Sequence, residues 1–177
     1  MADSGTIGVV TVTYNSESVL PDFFSSLFSQ TYRDWILYGI DNASVDGSLS
    51  LLKQQTDIRI RLLPQSTNVG VAEGNNIGIR AALADRCKTV LLINNDVVFD
   101  EHLFETLVAG LTKYHCDMVA PKILYYEPAD RIWWAGGHFQ RLLGYRTVHR
   151  GENDVDRGQY GQAEQTEYAS TCCVLIE

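Results

Sequence analysis

From residue 6 to residue 120 the chain alternates short β-branched apolar runs with segments whose apolar residues recur at helical spacing, an order that few folds accommodate. Residues 6–13 (TIGVVTVT) read as a buried strand that stops at Tyr14-Asn15-Ser16. A helix follows, with Ser16 or Ser18 as its cap, Pro21 in its first turn, and Val19, Leu20, Phe23, Phe24, Leu27 and Phe28 on one face. Residues 35–40, 58–63 and 89–93 read as further strands, with loops at 41–47 and 65–70. Helices are predicted over 48–55, capped by Asp46, and over 73–85. Asp100 caps a fourth helix carrying Leu103, Phe104, Leu107, Val108 and Leu111.

Strands joined through single helices require right-handed parallel crossovers. The expected class is therefore α/β: an open, mostly parallel sheet with helices on both faces. The chain has 177 residues, which suits one domain. After residue 120 the pattern changes to short strands at 123–126, 131–135, 142–148 and 168–176, a small mixed or antiparallel extension. Residues 151–165 (GENDVDRGQYGQAEQ) are polar and read as a mobile loop.

Composition narrows the partners. The net charge of -8 argues against binding a nucleic-acid backbone but permits one small nucleotide. No apolar stretch is long enough to span a membrane, and residues 1–6 lack the features of a signal peptide, so a cytoplasmic location is expected. Cys87, Cys116, Cys172 and Cys173 show no CxxC spacing and read as reduced, mostly buried thiols. Core packing is the preferred reading of Trp133, Trp134 and Tyr145, and solvated surface charge that of Lys122 and Arg131.

In an open α/β sheet, ligands bind outside the carboxyl ends of the strands. There the four strands run into Thr13-Tyr14-Asn15, Asp41-Asn42-Ala43-Ser44, Asn68-Val69-Gly70 and Asn94-Asn95-Asp96. Gly70, Gly74 and Gly78 recur every fourth residue, which suits either tight helix-to-sheet packing or a nucleoside lying against the backbone, with Asn75 or Asn76 supplying contacts. The chain contains neither GxGxxG nor GxxxxGK[ST]. Asp96, flanked by amide oxygens, suits a hard divalent cation, Mg²⁺ or Mn²⁺, bridging to diphosphate.

The segments TVTYNS (11–16), DNASVDGS (41–48), NVGVAEGNNIG (68–78) and LLINNDVV (91–98), with Ala120-Pro121-Lys122-Ile123, Ile132-Trp133-Trp134-Ala135-Gly136-Gly137 and the late TCCVLI, resemble the nucleotide-sugar half of family 2 glycosyltransferases of the GT-A fold. The rhamnosyltransferase-like branch is the most similar. The resemblance implies that Thr13 and Asn15 line a nucleotide pocket, that Asp41 bonds the base or ribose, and that Asn42 and Ser44 support its loop. Asn68, Gly70, Gly74 and Asn75 would border the nucleoside and diphosphate. Asn94, Asn95 and Asp96 occupy the family's DxD position, with Asp96 as direct metal ligand, Asn95 beside it, and Asn94 replacing the first Asp.

The implied reaction is inverting transfer of a sugar from a UDP- or dTDP-sugar, dTDP-rhamnose among them, to an acceptor hydroxyl of a glycan or lipid-linked acceptor. That is the chemistry of bacterial polysaccharide or glycolipid synthesis, carried out at the cytoplasmic face of the inner membrane with peripheral association through regions outside this stretch. Residues 6–120 would be the donor-binding half and 121–177 the start of the acceptor side. The catalytic base is expected beyond Glu177, so the stretch should bind donor and transfer sugar poorly. Two alternatives stay open: a binding module without turnover, and a sugar-phosphate nucleotidyltransferase.

Overall fold

Strand β1 (Ile7–Thr13) is apolar or β-branched at almost every position and is buried on both faces. Such a strand requires cover above and below. A computed structural model describes residues 5–177, apart from the Leu143 side chain; residues 1–4 of the N-terminal stretch read for signal-peptide features lie outside the described residues. In it β1 is flanked by β2 (Trp35–Asp41) and β4 (Thr89–Ile93), both parallel to it, and β3 (Ile60–Leu62) continues the sheet beside β2. The full order is β3-β2-β1-β4-β10-β5, with β5 (Met118–Val119) at the edge. β10 (Cys173–Ile176) is antiparallel to both of its neighbours.

Helix α3 (Gly70–Ala84) covers one face through small residues at every fourth position. A Cβ on Gly74 would lie 2.8 Å from Val12 Cγ2, one on Gly78 would lie 2.4 Å from Val10 Cγ1, and one on Gly8 would lie 2.6 Å from Ala82 Cβ. Positions 74, 78 and 82 of the helix therefore mesh with positions 12, 10 and 8 of β1, so the helix axis approaches the strand more closely than larger side chains allow. The other face takes α1 (Leu20–Ser29) and α2 (Ser48–Gln54). Phe28 of α1 lies against Trp35, and Leu52 of α2 lies under Gly39. Helix α4 (Leu103–Tyr114) joins α1 through Gln30, whose Oε1 accepts the Phe104 N–H at 3.0 Å, and through the Phe23–Phe99–Phe104 ring cluster.

The chain forms two compact units: residues up to Val119 together with Thr171–Glu177, and Ala120–Ser170. The expected division placed all of 121–177 in one region, but residues 171–177 return to the main sheet as β10. The second unit contains two hairpin pairs, β6 (Ile123–Leu124) with β7 (Ile132–Trp134), and β8 (Gly137–Gln140) with β9 (Arg146–His149). Ile132, Trp134 and Ala135 are buried within it.

Several local expectations need correction. The sequence pattern does not mark β8, and residues 141–143 form a short 3-10 helix leading into a turn at 144–145 rather than strand. Helix α3 starts at Gly70, ahead of the expected residue 73. Neither Ser16 nor Ser18 caps α1 with its side chain: the Ser16 carbonyl accepts the Val19 and Leu20 N–H groups, while its hydroxyl accepts an N–H from elsewhere. Asp46 acts one residue outside the cap, with Oδ1 accepting the Ser48 N–H at 3.0 Å. Tyr145 is 66% exposed, so it is not core. Lys122 and Arg131 are exposed, as expected of surface charge, with Lys122 paired with Asp156 and Arg131 donating to the Asn153 carbonyl. The polar segment 151–165 carries neither helix nor strand, yet it is tied down by bonds such as Ile132 N–H to Asp154 O at 2.9 Å and Tyr160 hydroxyl to Asp154 at 3.2 Å.

Candidate functional site

The sheet order reverses between β1 and β4: the crossovers from β1 move outward through β2 to β3, and α3 then carries the chain back to the far side of β1. A crevice must open where adjacent loops diverge in this way. The structure has a cavity of about 600 Å³ there, lined by the ends of β1 and β4, by Asn42 and by the start of α3. Of the expected residues, Asn15, Asn42, Asn68, Gly70, Asn94, Asn95 and Asp96 line it.

Thr13, Asp41, Ser44, Gly74 and Asn75 are not among the lining residues. Gly74 faces Val12, so its missing side chain serves helix packing. Asp41 is 1% exposed; it accepts from the Thr13 hydroxyl at 3.3 Å and from the Ser44 N–H at 3.2 Å. These groups shape the wall from behind. A burial of this kind keeps a carboxylate tolerable only because its oxygens are hydrogen-bonded.

The loops are laced to each other. Asn15, in the left-handed region at φ 51°, accepts the Val45 N–H at 2.9 Å and gives its own N–H to Ser44 Oγ at 3.1 Å. Asn tolerates that conformation better than most residues. Glu17 and Asp46 exchange contacts across the same seam: Glu17 N–H to Asp46 at 3.1 Å, and Gly47 N–H to Glu17 at 2.9 Å. Asn42 donates to Asn68 Oδ1 at 2.8 Å and accepts the Val69 N–H at 2.8 Å, which pins the entry of α3 to the end of β2.

Asn95 is 8% exposed, and its amide nitrogen donates to the Val12 carbonyl at 3.1 Å and to Ser16 Oγ at 2.9 Å. It staples β4 to β1, which leaves only its oxygen for the metal role expected of it. Asn94 and Asp96 on either side are exposed. Asp96 is the one carboxylate lining the cavity. Behind it, the Cys172 carbonyl accepts the Asn94 N–H at 2.9 Å, and burial together with the nearby Asp96 charge pushes the Cys172 thiol up to about 11. No local signal in the sequence links Cys172 to Asp96.

Two helices start at the cavity. Ser18 and Val19 precede α1, and Gly70 and Val71 open α3. Helix N-termini present unpaired N–H groups and a partial positive charge, which favours an anion. The remaining lining groups are Tyr14, Ser16 and Val12. Tyr14 is half exposed and lies inside the TVTYNS segment one residue past the strand, and Ser16 and Ser18, cap candidates by sequence, line the cavity with it. Among the described residues, no group of three or more His, Cys, Asp or Glu side chains could hold a metal. A single carboxylate does fit a cation whose other ligands are water and diphosphate oxygens, as Mg²⁺ prefers.

A second cavity of about 320 Å³ lies within the second unit, lined by Gly137, His138, Arg150, Gln165, Thr166 and Glu167. Thr166 closes one side of it, exchanging hydrogen bonds with the Gly137 backbone at 2.8 and 2.9 Å. No described helix is long and apolar enough to cross a membrane.

Comparison with known proteins places this architecture. GlyG, a glycosyltransferase of Streptococcus pneumoniae serotype 4, is 26% identical over 126 residues, which are 70% of this chain and 41% of GlyG. S. aureus TarS 1-349, solved in complex with UDP-GlcNAc, matches with a TM-score of 0.60 at 21% identity, over 67% of this chain and 34% of TarS. The mannosyltransferase PcManGT from Pyrobaculum calidifontis, solved with GDP-Man and Mn²⁺, matches with a TM-score of 0.62 at 19% identity, over 68% of this chain and 36% of its own. The matched stretch is thus under half the length of each of these proteins. Both structural likenesses are in the GT-A fold. Residues 8–173, from β1 to the first residue of β10, match the description Glycosyl transferase family 2, and the chain belongs to that family.

Proposed function

We propose that this chain is the donor-binding part of an inverting glycosyltransferase that takes a nucleoside-diphosphate sugar, a UDP- or dTDP-sugar, and delivers the sugar to an acceptor hydroxyl on a glycan or lipid-linked acceptor. The observation that carries the reading is the 600 Å³ cavity at the switch point, where the N-termini of α1 and α3 converge with the Asp96 carboxylate. Helix N-termini suit the diphosphate. The nucleotide-sugar complexes of TarS and PcManGT, and the Mn²⁺ of the latter, support the same class of ligand. A dTDP-rhamnose donor is the finer form of this proposal.

In this reading Asn15, Asn42, Asn68 and Gly70 border the nucleoside and diphosphate, with Thr13, Asp41 and Ser44 holding the loops in register. Gly74 and Asn75 contribute through the placement of α3. Asp96 would hold the divalent cation, with Asn94 beside it and Asn95 fixing the turn. Bound there, Mg²⁺ or Mn²⁺ supplies positive charge against the departing diphosphate. The acceptor oxygen attacks the anomeric carbon, the bond to phosphate breaks with its electron pair leaving on the diphosphate, and the acceptor proton passes to a carboxylate base. In this reading Glu177 is not that base, because β10 runs antiparallel to β4 and Glu177 follows Ile176 at its Val90 end, away from Asp96.

Calorimetric titration with UDP and dTDP, with and without Mn²⁺, tests the proposal. Binding strengthened by Mn²⁺ and lost in Asp96→Ala is the expected outcome. Binding of neither nucleotide, or Mn²⁺-dependent binding unchanged in the variant, would refute it.

A further inference from the structure

The β8–β9 hairpin of the second unit ends in an exposed apolar and aromatic tip between two arginines. Its strands pair from Gly137↔His149 to Gln140↔Arg146, and the connecting turn has the sequence Arg141-Leu142-Leu143-Gly144-Tyr145. Leu142 is 100% exposed and Tyr145 is 66% exposed. Gly144 and Tyr145 are both left-handed, at φ 71° and φ 60°, a conformation that costs an aromatic residue energy and here carries its ring at the exposed turn. A leucine wholly in water at a loop tip gains nothing from folding.

Two arginines flank this tip. Between Asp130 and Glu152 the chain has no acidic residue, in a protein whose net charge is -8; of the arginines in that stretch, Arg131 donates to the Asn153 carbonyl and Arg150 is paired with Glu164, which leaves Arg141 and Arg146 beside the turn. Arg141 and Arg146 bracket the turn and are exposed. The one acidic partner at the tip is Glu167, 3.8 Å from Arg141, in a pair exposed on both sides and therefore weakly held.

We infer that this hairpin tip docks onto a bilayer surface carrying anionic phospholipids, with Leu142 and Tyr145 entering the headgroup region and Arg141 and Arg146 facing lipid phosphates. Exposed apolar and aromatic tips flanked by arginine have the chemistry of interfacial anchors. Anionic headgroups complement a local cluster that the overall negative charge would otherwise oppose. The inference stands apart from the donor cavity, which lies wholly in the first unit.

Co-sedimentation of the full chain with two kinds of vesicle tests it: phosphatidylcholine alone, and an equimolar mixture with phosphatidylglycerol. The wild type should bind the mixed vesicles, lose binding as salt is raised, and ignore pure phosphatidylcholine. The double substitution L142S/Y145S should weaken binding at least about tenfold, as expected for losing apolar insertion. R141Q/R146Q should weaken it about fivefold per arginine. Both variants alter exposed side chains and should keep the wild-type circular dichroism and melting temperature. Equal binding to both vesicle types, no binding to either, or variants that bind like the wild type would overturn the inference. So would a concentration-dependent dimer that L142S/Y145S abolishes, which would assign the tip to a second copy of the chain.

Discussion

Replacing Asn42 by Ala should loosen the entry to α3 and weaken nucleotide binding together. Asn42 is 2% exposed, donates to Asn68 Oδ1 at 2.8 Å and accepts the Val69 N–H at 2.8 Å. Asn68 Oδ1 also takes the Gly70 N–H at 2.9 Å, so one side chain anchors a chain of bonds that ends on the first residue of the helix. Each lost bond costs about 1 kcal/mol net, so Asn42→Ala should cost about 2 kcal/mol. At roughly 2–4 °C per kcal/mol for a chain of this size, the melting temperature should fall by about 4–8 °C. Asn68→Ala breaks the shared bond but keeps the one from Val69 to Asn42. In urea unfolding followed by tryptophan fluorescence, the double variant should therefore cost about 1 kcal/mol less than the sum of the singles. UDP affinity should fall in all three, because Asn68 and Gly70 line the cavity. An Asn42→Ala protein within about 0.5 kcal/mol of wild type, or strict additivity with Asn68→Ala, would refute the reasoning.

Gly78→Ala should destabilise by about 1–2 kcal/mol in urea unfolding, because its Cβ would lie 2.4 Å from Val10 Cγ1 and 2.9 Å from Ile40 Cδ1, and overpacking outweighs the gain of about 1 kcal/mol in helix propensity. Gly70→Ala has open space but a φ of 81°, so its cost should be the backbone strain alone, about 1–2 kcal/mol. Burial pushes the Cys172 thiol up to about 11 and the Cys173 thiol up to about 12. The unfolded chain loses these protons near pH 9 while the folded one keeps them, so this contribution is complete below pH 9 and is lost as pH rises beyond it, by about 1.4 kcal/mol per pH unit per thiol. Cys173→Ala should flatten that decline in unfolding measured against pH. Asn94→Asp, at an exposed position, should leave stability within about 0.5 kcal/mol and tighten Mn²⁺-dependent nucleotide binding several-fold. Asn95→Asp should instead destabilise by about 1–3 kcal/mol, because a carboxylate would face the Val12 carbonyl without a proton to give.

What the sequence by itself determined is whatever short-range chemistry decides. Thr89–Ile93 and the apolar face Leu20, Phe23, Phe24, Leu27 were legible because strand and helix periodicity is written within a few residues. The polar ends of four strands were legible as one edge because parallel crossovers oblige successive strands to point the same way, and Asn15, Asn42, Asn68 and Asp96 do share a cavity. Tertiary structure alone decided how those side chains divide their work. Asp41 and Asn95 turned out to spend hydrogen bonds on neighbouring loops, and Gly74 turned toward Val12, because each choice depends on a partner far along the chain. The same holds for β10, whose antiparallel insertion between β4 and β5 returns residues 171–177 to the first unit and brings Cys172 behind Asn94. Periodicity marks a strand but carries neither its direction nor its neighbours, since those are set by which edge remains unpaired after the rest of the sheet has formed.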